Sequence, residues 1–360
     1  MIAIREQLES PLHYAKLSRE ELIERVLARK AELNAVILGH NYQRVELQEI
    51  SDYVGDSLGL SQEAAKTDAD VIVFCGVHFM AETAKILSPQ KLVLMPDLRA
   101  GCPMADFVTS QALQRMKAAH PEAAVVAYVN STAAVKAESD ICCTSANAVK
   151  VVNSIPRDRT IIFVPDRNLA AYTAEKTGRP LLTPAEAEQG GFEPGSIIAW
   201  EGYCYVHDDL VLKELDAAQA KLPNAKVVIH PEARGDLLAR ADFVVSTAGM
   251  ADLAKEYDEL IIGTERGIVD ALQSRYPAKR IIPLSGAAVC GNMKMNTLPK
   301  LAWSLETGQH AIELDESVRA KAHLALQRML ELSGGWSEPS PEERRLEDES
   351  LGAGPGCGCA

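Results

Sequence analysis

The sequence lacks several features that commonly point to a function. None of its eight cysteines forms a Cys-x-x-Cys pair, so the usual zinc spacing is absent and any metal site must be assembled from distant segments. No run approaches the roughly 18 apolar residues of a membrane span. The opening residues MIAIREQLESPLHYAKL contain no unbroken apolar stretch before a small-residue cleavage site, so no signal peptide is expected and the cytoplasm is the expected compartment. Positive charge is short: 37 Lys and Arg face 50 Asp and Glu, a net charge of −13. That excludes a nucleic-acid surface, which needs a basic footprint. Anionic small molecules stay open, because helix N-termini bind them locally. Cysteines in such a compartment serve as metal ligands, catalytic groups or core residues more often than as disulfides.

What is present is ordinary globular material. The chain has 360 residues, 47% hydrophobic and 24% charged, enough for two or three domains and a large core. Apolar, β-branched runs such as Val71–Phe74, Ile161–Val164 and Val227–Ile229 alternate with helical stretches from about residue 35 to 290. Continuous runs of this kind predict parallel strands buried on both faces, hence an α/β fold.

The pattern occurs three times. A strand leads into a polar residue at His40, Asn130 and His230, and a shorter strand follows after Asp52, Asp140 and Asp242. Five residues beyond each aspartate stands a hydroxyl, Ser57, Ser145 or Thr247, expected to open a helix. Each unit then reaches a cysteine soon after its last strand, Cys102, Cys204 and Cys290, separated by 102 and 86 residues. These spacings predict three similar αβα domains with parallel sheets related by pseudo-threefold symmetry. Each would present one cysteine beyond the carboxyl ends of its strands, where open α/β sheets hold ligands. The expected boundaries are an N-terminal helical segment at 1–34, domains at 35–117, 118–205 and 206–295, C-terminal helices at 296–335, and a disordered tail at 336–360. Ser18 and Glu21 predict a capping box, and the flanking helices are expected to pack on the first domain.

Three cysteines at matching places suit a cubane 4Fe–4S cluster with one iron free of protein ligands, although each could also be a core residue. An open iron acts as a Lewis acid on hydroxyls and carbonyls. Cys75, Cys142 and Cys143 fall inside apolar strands and are expected to be packing residues. Cys357 and Cys359 belong to a Gly-Pro tail and are expected to be bystanders. His40 and His230 end equivalent strands and suit proton transfer, since histidine titrates near neutrality. Tyr42 and Glu232 each follow two residues later. Ser57, Ser145 and Thr247 could be N-caps, anion seats, or both.

The segments GHNYQ (39–43), SDYVGDSL (51–58), MPDLRAGCPMAD (95–106), YVNSTAAVKAESDICCTSANA (128–148), CYVH (204–207), HPEARGD (230–236), STAGM (246–250), GTERG (263–267) and CGNMKMNTL (290–298) resemble the A-type quinolinate synthases, over about Leu38 to Leu301. The resemblance implies three αβα domains around a 4Fe–4S cluster bound by Cys102, Cys204 and Cys290. It implies condensation of iminoaspartate with dihydroxyacetone phosphate to quinolinate for NAD synthesis, with loss of phosphate and two waters. An aspartate-oxidising enzyme would be the supplier of iminoaspartate. Catalytic residues would be His40, Tyr42, His230 and Glu232. Ser57, Tyr128, Asn130, Ser145, Thr247 and His207 would bind substrate. Two alternatives stay open: another iron–sulfur hydro-lyase, and a cluster-bearing sensor without catalysis.

Overall fold

The computed structural model describes residues 11–334, which form three separate sheets. The first contains β1 (Ala35–His40), β2 (Tyr53–Gly55), β3 (Val71–Cys75) and β4 (Leu92–Leu94), in the order β2-β1-β3-β4. The second contains β5 (Ala124–Tyr128), β6 (Ile141–Cys143), β7 (Ile161–Val164), β8 (Leu181–Leu182) and β9 (Ile197–Ala199), in the order β6-β5-β7-β9-β8. The third contains β10 (Lys226–Ile229), β11 (Phe243–Val244), β12 (Glu259–Gly263) and β13 (Arg280–Pro283), in the order β11-β10-β12-β13. All these pairings are parallel. The expected α/β architecture of three αβα units is therefore present. Strands such as β3 and β7 are buried along their whole length, as helices on both faces require. The edge strand β8 has no counterpart in the other two sheets, and its two residues are too few to show a period.

The aspartates that mark the repeat have a structural job. Asp52 Oδ2 accepts the Ile37 amide at 2.8 Å, Asp140 Oδ2 the Val125 amide at 2.7 Å, and Asp242 Oδ2 the Val227 amide at 2.8 Å. In each case the aspartate's own amide donates back to the same residue's carbonyl. One side chain thus closes the start of the first strand onto the second strand and satisfies a backbone donor that the sheet leaves unpaired.

The expectation that all three hydroxyls open helices needs correction. Ser57 and Thr247 are the first residues of helices Ser57–Lys66 and Thr247–Glu256, whose caps are Asp56 and Ser246. Ser145 instead lies in a turn ahead of helix Ala148–Asn153. That turn is fixed by Asn147 Oδ1, which accepts the Thr144 amide at 2.6 Å. None of the three hydroxyls is an N-cap.

The Ser18–Glu21 capping box opens helix Arg19–Glu32, which packs with helix Leu298–Thr307 on the first sheet. The last helix, Glu316–Leu332, behaves differently from expectation. It packs on helix His78–Leu87 of the first unit and on helix Ala133–Lys136 and β6 of the second. Arg328 Nη1 donates to the Asp140 carbonyl at 2.6 Å. An amphipathic helix shows in sequence, but which unit it covers does not. The tail with Cys357 and Cys359 lies outside the described residues. No helix among the described residues is long and apolar enough to cross a membrane.

Candidate active site

The carboxyl ends of the three sheets converge on one cavity of about 70 Å3, several times the roughly 10–15 Å3 that one water needs. All thirteen residues singled out from sequence line it. The first unit brings His40, Tyr42, Ser57 and Cys102; the second brings Tyr128, Asn130, Ser145 and Cys204; the third brings His230, Glu232, Thr247 and Cys290, with His207 from the connection after Cys204. Residues 248 positions apart in the chain share this wall because each stands at the end of an equivalent parallel strand or just beyond it.

Each of the three cysteines heads a short helical turn. Residues Ala105–Phe107, Tyr205–Asp208 and Met293–Met295 follow Cys102, Cys204 and Cys290. Burial pushes the Cys102 thiol up to about 12, while the Ala105 and Met104 amides pull the other way. Cys204 is raised by burial, against the His207 amide, and Cys290 by burial, against the Met293 and Asn292 amides. The charges of Cys102 and Cys290 both act on Cys204. Three sulfurs on one cavity wall, whose charges act on one another and which each receive backbone N–H groups, are arranged to hold a cation, which is what would ionise them. This donor set fits an iron–sulfur cluster. Cys75, Cys142 and Cys143 are fully buried in strands, as packing residues are.

The two strand-end histidines are each oriented by a backbone amide. The Tyr42 amide donates to His40 Nδ1 at 3.1 Å, and the Glu232 amide to His230 Nδ1 at 3.3 Å. Each ring therefore carries its proton on Nε2. Burial lowers both pKa values to about 3, so near neutral pH both are uncharged hydrogen-bond donors and poor bases.

A different group of side chains is placed for proton transfer. The Tyr42 hydroxyl lies 2.6 Å from Thr264 Oγ1 and 3.3 Å from His207 Nε2. Thr264 Oγ1 is 2.8 Å from the same Nε2. On the far side of the ring, His207 Nδ1 is 2.9 Å from Glu232 Oε2, close in distance but out of line for a hydrogen bond. Glu232 Oε1 accepts from the Tyr128 hydroxyl. A carboxylate facing Nδ1 keeps the ring proton there and leaves Nε2 as acceptor. Thr264 then donates to Nε2 and accepts from Tyr42. Burial works to raise the Glu232 carboxyl, but His207, His230 and Tyr128 outweigh it and hold the carboxyl below its usual range. Burial and Glu232 push the Tyr42 phenol up. The result is a chain Tyr42–Thr264–His207–Glu232–Tyr128 that crosses all three units.

Sequence reasoning missed Thr264 and Glu265. Glu265 accepts the Cys290 amide at 3.1 Å and pairs with Lys294 at 3.0 Å, and Lys294 also donates to the Tyr42 carbonyl. Both residues lie in the GTERG segment quoted above, but nothing in that segment shows that it faces Tyr42.

Helices Ser57–Lys66 and Thr247–Glu256 meet at their N-termini: Ser246 Oγ donates to Asp56 Oδ2 at 2.9 Å, and Asn41 Nδ2 donates to Thr247 Oγ1 at 2.9 Å. Free amides at such ends favour anions. Asn130 Oδ1 is buried without a partner, an acceptor that a bound molecule would satisfy.

Sequence comparison decides the family. The model for the family described as quinolinate synthetase A protein matches residues 24–331. The chain belongs to this family. A quinolinate synthase of Dehalococcoides mccartyi is 50% identical over 314 residues, covering 87% of this chain and 98% of that protein. Quinolinate synthase 1 of Methanosarcina acetivorans is 50% identical over 316 residues, with the same coverage. A quinolinate synthase of Trichodesmium erythraeum is 46% identical over 321 residues, covering 87% of this chain and 94% of that one. The chain is thus an enzyme of the quinolinate synthase family, and its substrates are small molecules.

Proposed function

We propose that this enzyme condenses iminoaspartate with dihydroxyacetone phosphate to quinolinate, with loss of phosphate and two waters, in de novo NAD synthesis in the cytoplasm. Cys102, Cys204 and Cys290 would hold a 4Fe–4S cluster, one ligand from each of the three units bounded at 35–117, 118–205 and 206–295. The cluster would supply Lewis acidity at an iron without a protein ligand. An aspartate-oxidising enzyme would supply the iminoaspartate.

The observation that carries this reading is the convergence of three amide-supported cysteines with the Tyr42–Thr264–His207–Glu232 chain on one cavity. Tyr42 is the acid–base group. Its proton can move by way of Thr264 to His207, where Glu232 stabilises the imidazolium, and return to a departing hydroxyl. His40 and His230 present Nε2–H groups that hold substrate oxygens and do not titrate in the working range. Ser57 and Thr247, at two facing helix N-termini, together with Ser145 and Asn130, would bind carboxylate and phosphate. Tyr128 fixes Glu232.

The test is anaerobic purification with iron and sulfide quantified, followed by assay with iminoaspartate and dihydroxyacetone phosphate. Quinolinate formed in proportion to cluster content is expected. A different unsaturated acid, or no product from fully loaded protein, would refute the substrate assignment.

A further inference from the structure

We propose that Cys204, His207 and Glu232 form a second metal site, which takes one thiophilic divalent cation such as Zn2+ when no cluster occupies Cys204. One ligand atom from each residue, the sulfur, a ring nitrogen and a carboxylate oxygen, lies within 4.8 Å of the others. The grouping follows from local structure. Cys204 precedes the turn Tyr205–Asp208, so His207, three residues on, shares its face. Glu232 enters from the loop after β10.

Three features suit a cation here. His207 and Glu232 are almost completely buried, and His207 Nδ1 makes no aligned hydrogen bond. The charge balance is right: one thiolate and one carboxylate against a divalent ion leave no net charge, the arrangement that burial penalises least. The ligand set is also selective. Sulfur, imidazole and carboxylate together favour Zn2+ over Mg2+ or Ca2+. Three protein ligands beside a cavity also leave a fourth position for water, as in open zinc sites. Binding at Nδ1 releases the Cys204 proton to solvent, moves the His207 ring proton from Nδ1 to Nε2, where Thr264 Oγ1 turns to accept it, and oxidises nothing.

Two consequences follow. The cation would take Glu232 and His207 out of the proton chain, and it would remove Cys204 from cluster assembly. Competition with the cluster rests on the proposed three-cysteine ligation; binding of the cation does not.

The test uses the full chain freed of iron and sulfide, titrated anaerobically with Co2+ as a spectroscopic stand-in for Zn2+. One Co2+ per chain is expected, with a thiolate-to-cobalt charge-transfer band and tetrahedral visible bands, displaced by Zn2+. The Cys102→Ala/Cys290→Ala double variant should keep these bands, and Cys204→Ala should lose the charge-transfer band. His207→Asn and Glu232→Gln should each weaken binding by at least the roughly 10–100-fold seen when even an outer partner of a metal site is lost. Circular dichroism establishes that each variant is folded. Bands lost in the double variant but unaffected by His207→Asn and Glu232→Gln would place the ion among the three cysteines and overturn the proposal. So would absence of any charge-transfer band. Reconstitution of the same variants with iron and sulfide reads the cluster assignment separately. A full cluster in the double variant would sink that assignment and leave this site standing.

Discussion

Thr264 offers the sharpest test of the proton chain, because one oxygen connects two groups from different units. Thr264→Val keeps the shape and exchanges the hydroxyl for a methyl. Tyr42 would then lose its 2.6 Å partner and retain only His207 Nε2 at 3.3 Å, while Nε2 loses its 2.8 Å donor. Thr264 is fully buried, and the valine methyl fills the place of its hydroxyl, so no water enters there. Each buried group left short of a partner costs about 1–3 kcal/mol, which should appear as a lower unfolding midpoint. Activity should fall by about 10²–10⁴, the range for a lost general acid–base function. Thr264→Ser restores the hydroxyl at the cost of a methyl-sized gap worth about 1 kcal/mol, and should recover most of the turnover. The assay is anaerobic quinolinate formation, with iron, sulfide and unfolding midpoint measured on each preparation. Wild-type turnover by Thr264→Val with a full cluster would refute the chain. Loss of activity that merely tracked loss of cluster would refute it equally.

Four further outcomes are expected. Cys102→Ala, Cys204→Ala and Cys290→Ala should each abolish the brown absorbance and the activity, whereas Cys75→Ala and Cys143→Ala should cost only stability, on the order of 1 kcal/mol; iron and sulfide analysis separates the two groups. His230→Asn, which removes an Nε2–H donor to substrate, should lose activity by about 10²–10³, and Glu232→Gln, which removes the carboxylate behind His207, by about 10² or more; both should retain the cluster, and normal turnover in both would remove these residues from the mechanism. Burial opposes ionisation of Asp97, yet hydrogen bonds from Arg99 and Lys300 outweigh it and hold the carboxyl far below its usual range. A depressed folded-state pKa gives stability that is complete above the unfolded value, about 3.9, and fades as pH falls towards the folded value. Asp97→Asn should therefore be less stable than wild type near neutrality, with the gap in denaturant melts closing on acidification; a gap independent of pH would contradict this. Deleting Cys357 to Ala360 should leave cluster content and anaerobic turnover close to wild type, and lost turnover would show that the tail takes part.

Much of this arrangement is legible in the sequence because it is repeated. Apolar β-branched runs announce parallel strands, and three cysteines at like places announce one shared centre. The site residues sit at strand ends, where fold class alone predicts ligand contact. What stays hidden depends on distances between units. Thr264 is an ordinary threonine until Tyr42, 222 residues earlier, is found beside it. The neutral state of His40 and His230 follows from burial and from amides two residues on, which no motif displays. Ser145 departs from its repeat partners because Asn147 folds the preceding backbone into a turn. The last helix bridges two units because of what its faces meet, not because of its own pattern.

The central claim, one cluster held by three repeats with an iron open to substrate, is tested most directly by the Mössbauer spectrum of the iron-enriched, anaerobically purified enzyme before and after addition of both substrates. The account predicts four irons and four sulfides per chain, with the signal of one iron alone shifting when substrate binds. A cluster whose irons all stay unchanged in the presence of substrate, or a chain that binds no sulfide, would contradict it.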